Sequence, residues 1–153
     1  MPNLNIEYLF DSPTPVAKYF VKNYEGALGE IKLYALLYWA FALVGNAGIG
    51  ERGGPSYRLY RPVFTAVPYG IKEESLDIDA AFNESMTEDD HWQLLMSGVE
   101  IYCDYLLRKV EKMDDLDVVN RIHESFCWCN SSQDGVNKLP IGEDEVILEY
   151  KGF

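Results

Sequence analysis

Apolar residues recur at helical spacing over several stretches of the chain and shift to an extended pattern in one. Thr14-Pro15-Val16 pairs a hydroxyl N-cap with proline at the first helical position. Val16, Phe20, Val21 and Tyr24 then follow at helical steps, so a short helix is predicted to about Tyr24. A second helix is expected from about Gly29, carrying Ile31, Leu33, Leu36, Leu37, Ala40, Phe41 and Val44. Apolar residues surround most of this segment, which makes it the central buried element, and Gly45-Asn46 reads as its stop. Thr87 with Asp90 three residues on has the form of a capping box with a shorter acid. It opens a long helix from about Glu88 to Lys112, whose apolar stripe is Trp92, Leu95, Met96, Val99, Tyr102, Cys103, Leu106 and Val110. Asp114 or Asp115 can cap a further helix bearing Leu116, Val119 and Ile122.

The intervening segments have a different character. Asn46 to Ser56 holds four glycines and a proline and reads as a loop. A phosphate cradle needs a strand before such a loop and a helix after it; here a helix precedes and a strand-like segment follows. Tyr57 to Ala66 is aromatic and β-branched, and Pro62 confines it to an edge because proline donates nothing to a ladder. After Asn130 the chain is polar, and Glu145 to Tyr150 reads as a last strand or short helix. The predicted fold is mainly α: a single compact helical domain over residues 1–153, with a small β-hairpin or extended element around residues 57–66.

Composition narrows the function classes. A chain of 153 residues, 48% hydrophobic, is long enough for one domain with a real core. The longest apolar run, Leu33 to Val44, is too short for a membrane span. The start, MPNLNIEYLFDS, lacks the basic region and apolar core of a secretion signal. Three cysteines, two of them separated by one residue, suit a reducing cytoplasm better than a disulfide framework. A cytoplasmic protein is therefore expected. The net charge of −12 opposes direct nucleic-acid binding, which depends on phosphate neutralisation, and favours a basic protein partner.

Candidate chemistry concentrates in Arg121 to Asn130, RIHESFCWCN. His123, Cys127 and Cys129, with Cys103 as a fourth ligand, would make a Cys3His zinc set, but structural zinc sites use cysteines two to four residues apart and here only one intervenes. If His123 is helical, Cys127 lies one turn away, where a thiol could meet a base. Phe126 and Trp128 flank that thiol, however, and a buried cysteine behaves as a small hydrophobe. Packing is the favoured reading, with no metal, no cofactor and no enzymatic activity expected. Tyr34 and Tyr38, one turn apart, are read as core or interface.

The order of segments adds a resemblance. Val16-Ala-Lys-Tyr-Phe20 is followed by Ile31-Lys-Leu-Tyr-Ala-Leu-Leu-Tyr-Trp-Ala40, then Tyr60-Arg-Pro-Val63, Val67-Pro-Tyr69, and finally His123 with Trp128 five positions on. From about Val16 to Tyr150 this resembles the SocA-like antitoxin family, or Panacea domain, often phage-associated. Members read VAKYF, KLQKLLYYA, YGPV with VP and Y soon after, and TH-x-E-x-PW. Arg61 stands where the family has glycine, and Ile122, Ser125 and Cys127 replace its threonine, glutamate and proline. The resemblance implies a mostly helical domain that binds and neutralises a cognate toxin, in some members by delivering it to a protease. Tyr60, Pro62, His123 and Trp128 are the partner-binding residues it points to. The alternative is a phage-encoded, anti-CRISPR-type inhibitor of a host defence nuclease. There the acidic zone, with Glu73, Glu74, Asp77, Asp79, Glu88, Asp89 and Asp90 exposed on one face, would imitate nucleic-acid charge.

Overall fold

In a computed structural model, which describes residues 6–48, 56–132 and 140–150, the chain is mainly helical. The elements in order are β1 (Ile6–Tyr8), α1 (Thr14–Asn23), α2 (Glu30–Ala47), β2 (Ser56–Arg58), β3 (Phe64–Val67), β4 (Gly70–Glu73), α3 (Ile78–Asn83), α4 (Glu88–Ser97), α5 (Glu100–Val110), α6 (Asp115–His123), α7 (Phe126–Ser132) and α8 (Glu143–Glu149). No helix among the described residues is long and apolar enough to cross a membrane.

Helix α2 is the hub, as its all-round apolar pattern predicts. It packs against α1, α5, α6, α8, β2 and β4, and its buried residues run from Leu33 to Val44 on every side, Tyr34 and Tyr38 among them. The predicted stop at Gly45-Asn46 is overrun: the helix continues to Ala47 and is capped by Gly48 in the left-handed conformation. Tertiary packing accounts for the extension. Asn46 Nδ2 donates both to Ala42 O at 2.9 Å and to Ile147 O of α8 at 2.7 Å. Gly45 leaves the space that Ile147 occupies, since a Cβ there would lie 2.6 Å from the Ile147 Cδ1 and Cγ1 atoms. Gly45→Ala should therefore destabilise the chain by about 1–3 kcal/mol, against the gain of about 1 kcal/mol that alanine brings to a helix interior. Urea unfolding measures this, and a variant more stable than the parent would show that α8 does not seat on Gly45.

The extended region divides between two small sheets. β2 pairs in parallel with β1, Ile6 opposite Ser56. β3 pairs with β4 in an antiparallel hairpin whose two-residue turn is Pro68-Tyr69. The expected element around residues 57–66 is thus two strands in different sheets, and the hairpin spans 64–73. The segment 60–63 between them is irregular, as Pro62 requires. Thr65 also bridges to Pro140, and Ile141 N–H donates to Phe64 O at 2.8 Å, which ties the C-terminal segment to the outer edge of β3.

The single long helix expected from Glu88 to Lys112 is two helices. Gly98, at φ +74°, caps α4 in the left-handed region and α5 restarts at Glu100. The break re-aims α4. Val99, Cys103, Leu106 and Val110 are buried as expected, but α4 buries Leu94, while Trp92, Leu95 and Met96 stand in solvent. Thr87 and Asp90 form the predicted capping box, and Asp114, one of the two candidate caps of α6, forms a second box with Asp117. α6 buries Val118 and Ile122, whereas Leu116 is exposed. Thr14 is the first residue of α1 and caps nothing; Pro13 precedes it as N-cap. The ambiguous segment near the C-terminus is the helix α8.

Candidate functional site

The α6–α7 corner is assembled from three distant parts of the chain. α6 ends at His123 and α7 begins at Phe126, so only two residues join them. The first N–H groups of α7 have no partner within the helix. Glu149, arriving from α8, accepts from Phe126 N and from Cys127 N at 2.9 Å. Trp128 is thereby set over the β3–β4 turn. Its Nε1–H donates to Val67 O at 2.9 Å and to Gly70 O at 2.8 Å. His123 Nε2 lies 2.7 Å from Pro68 O; a carbonyl only accepts, so this nitrogen carries hydrogen. The two rings lie against each other, centroids 4.1 Å apart. Two of the segments singled out in the sequence, Val67-Pro68-Tyr69 and the His123/Trp128 pair, therefore meet as a clamp on a hairpin turn. The clamp fixes the backbone on either side of Tyr69, whose side chain is 60% exposed.

Tyr60 and Pro62 are placed differently. Tyr60 is fully buried, its ring edge-on to Phe41 and Phe64 at centroid distances of 6.2 and 6.4 Å. Burial pushes its phenol well above the ordinary value, and the Glu73 carboxylate adds to the effect. Tyr60 Oη and Glu73 Oε2 are both buried. As it stands, Tyr60 supports the fold and offers no surface to a partner. Pro62 is half-buried. Arg61 is exposed, and its guanidinium stacks 4.8 Å from the centre of the Tyr8 ring. No non-glycine residue among those described has a positive φ, so Arg61 does not need the conformation a glycine would permit.

One member of the acidic zone, Glu73, is withdrawn from the surface. Glu73 is 1% exposed, and its Oε1 accepts from Ser75 N at 2.8 Å, Ser75 Oγ at 2.7 Å and Val63 N at 3.2 Å. It is an internal brace for the segment that enters β3, which corrects its expected place on a charged surface. Local sequence offers no sign of this, because the donors belong to the irregular 60–63 segment and a turn. Asp77 caps α3 through Ala80 N, and Asp90 closes the α4 box. Glu74 accepts from Thr65 Oγ1 at 3.0 Å. Glu74, Asp77, Asp79, Glu88 and Asp89 are exposed and Asp90 is half-buried.

Among the described residues no group of three or more His, Cys, Asp and Glu side chains could hold a metal ion. Cys103 is in the core, its thiol pushed up by burial. Cys127 is buried, and burial followed by the Glu149 carboxylate pushes its thiol up to about 12, far from a thiolate. Cys129 is exposed and donates to His123 O at 3.2 Å.

Beside the clamp lies an open cleft of about 480 Å3 between α2, the α6–α7 corner and α8. Tyr38, Arg121, Phe126, Glu149 and Tyr150 contribute to its walls. Phe126 is 72% exposed. Burial acts to raise the Glu149 carboxyl. Hydrogen bonds from the Cys127 thiol and from the Cys127 and Phe126 backbones outweigh it and hold the group below its ordinary value of 4.5. A depressed carboxylate contributes stability that is complete above the unfolded value and is lost as pH falls through the folded one. Glu149→Gln should therefore be less stable than the parent at neutral pH, with the difference closing at pH values below the carboxylate range. Urea titrations at both ends test this; an equal gap at both would show that the charge has no role.

Tyr69, which lies within a segment singled out in the sequence, and Phe126 and Glu149 are not among the binding residues expected from the sequence. Nothing local separates the exposed Phe126 from the buried Phe64, and Glu149 acts on residues 22 or more positions away. Comparison with known proteins finds no matching family model, no matching curated protein and no matching solved structure.

Proposed function

We propose that this chain is a protein-binding antitoxin that neutralises a basic target by direct binding at the α6–α7 corner. The observation that carries the reading is the presentation of two large aromatic side chains, Tyr69 and Phe126, in solvent on a backbone held by the Trp128, His123 and Glu149 hydrogen bonds. Rigid exposed aromatics make strong binding anchors, because little conformational freedom is lost when they are covered. The net charge of −12 draws a basic partner to the chain. The motif resemblance supports the antitoxin class. In this reading His123 and Trp128 act by positioning the surface, and Tyr60 and Pro62 act by supporting the strand that enters it. The withdrawal of Glu73 into the interior takes one carboxylate from the surface that the nuclease-inhibitor alternative requires.

Affinity purification of the tagged chain from its native cells at moderate salt, with identification of the retained protein, tests the reading. A small basic toxin should be retained by the parent and lost from a Tyr69→Ser/Phe126→Ser variant with an unchanged melting temperature. Retention of that toxin by the variant would overturn the assignment of the surface. Retention of a large nuclease, released by neutralising Asp79, Glu88 and Asp89, would replace the antitoxin reading with the alternative.

A further inference from the structure

Helix α4 carries an apolar face that the fold leaves uncovered. At about 100° per residue, Leu94 points to the core, and Glu88, Trp92, Leu95 and Met96 fall together on the opposite side with Asp89 at its margin. Trp92 is 62%, Leu95 52% and Met96 66% exposed. Three large apolar side chains on neighbouring positions of one short helix form a contiguous patch, unlike the scattered exposed residues that any protein surface carries. Tryptophan and methionine are also among the residues enriched at protein interfaces. At the N-terminal end of the patch, Trp92, Met86, Glu88, His91 and Lys22 line a cleft of about 230 Å3. That is below the roughly 300–1,000 Å3 of small-ligand pockets and suits one anchoring side chain.

We propose that this face docks a basic amphipathic helix of a protein partner, with an arginine stacked on Trp92 and paired with Glu88 or Asp89. Charge selects this occupant. Glu88 and Asp89 adjoin the apolar patch on a chain of net charge −12, so a cationic helix gains attraction at the rim while its apolar ridge covers Leu95 and Met96. A second copy of the chain would instead bring the two acidic rims together. Arginine matches the anchor because its planar cation stacks on indole and forks onto a carboxylate. The inference rests on the reading of the chain as a protein-binding inhibitor and gives its partner a second, separate contact.

The test uses the intact chain and a synthetic leucine–arginine amphipathic peptide about five turns long, with a leucine–glutamate peptide as control. Amide NMR titration should place the largest shifts in residues 88–97 with the arginine peptide and none with the control. Trp92→Ser/Met96→Ser should weaken binding about tenfold or more with an unchanged melting temperature, because both side chains already stand in solvent. Shifts spread evenly over the acidic surface, or a variant affinity within about twofold of the parent, would overturn the inference. So would shifts confined to 67–70 and 123–128, which would leave the corner as the only docking surface. Self-association of the parent abolished in the variant would assign the face to a second copy. Retention of the toxin by this variant with parental affinity would remove the α4 contact and leave the antitoxin reading standing, whereas loss of all partner capture by the parent would remove that reading itself.

Discussion

Trp128→Ala is expected to destabilise the chain by about 3 kcal/mol, the lower end of the range for truncating a core tryptophan. The lower end applies because the ring is only partly buried. The change removes the face against His123 and the single N–H that serves both Val67 O and Gly70 O. Those carbonyls sit on buried residues at the two ends of the hairpin turn, so they lose a donor that water cannot fully replace. At about 2–4 °C per kcal/mol for a chain of this size, the melting temperature should fall by about 6–12 °C. Trp128→Phe separates the two contributions: it keeps most of the ring and loses only the donor, at about 1–2 kcal/mol. Calorimetry on both variants is the measurement. An alanine variant as stable as the parent would mean that the clamp does not hold the turn, and the rigid presentation of Tyr69 would lose its basis.

Phe64→Ala should cost more, about 4–5 kcal/mol. Phe64 is completely buried and lies edge-on to Tyr38, Phe41 and Tyr60, at centroid distances of 5.2, 5.8 and 6.4 Å. Such aromatic pairs contribute about 0.5–1.5 kcal/mol beyond the area they bury, so truncation removes three of them and leaves a cavity between α2 and β3. Phe64→Leu keeps much of the volume and should cost clearly less. Urea unfolding of both reads the difference; equal losses would show that the strand, and not the ring cluster, sets the stability. Because β3 leads directly into the clamped turn, Phe64→Ala should also impair partner capture in proportion to the fraction unfolded, whereas Tyr69→Ser should impair it with no loss of stability.

Two helix starts were legible for a local reason. The Thr87–Asp90 and Asp114–Asp117 boxes are made by residues three apart, so the signal and the structure lie in the same turn. His123 and Trp128 were paired in the sequence only by the motif resemblance. Their acceptors, Pro68, Val67 and Gly70, lie 55 to 61 positions away and could not be matched to them from spacing. Glu73 was misread because a carboxylate in an acidic run has the same local appearance whether water or three protein donors surround it. Trp92, Leu95 and Met96 were misread because their period continues smoothly into Val99 and Cys103, and a glycine within a periodic segment signals a break only weakly.

The helical class of the chain, the central place of α2 and the two capping boxes follow from short-range chemistry: an apolar surface on all sides of one segment cannot face water, and a cap is completed within a single turn. The course of α2 past Gly45 and the meeting of Trp128 with the hairpin turn depend on groups far apart along the chain. Packing selects among conformations that are nearly equal locally, and the free energy that selects them exists only once α8 lies on α2 and the corner closes over β3 and β4.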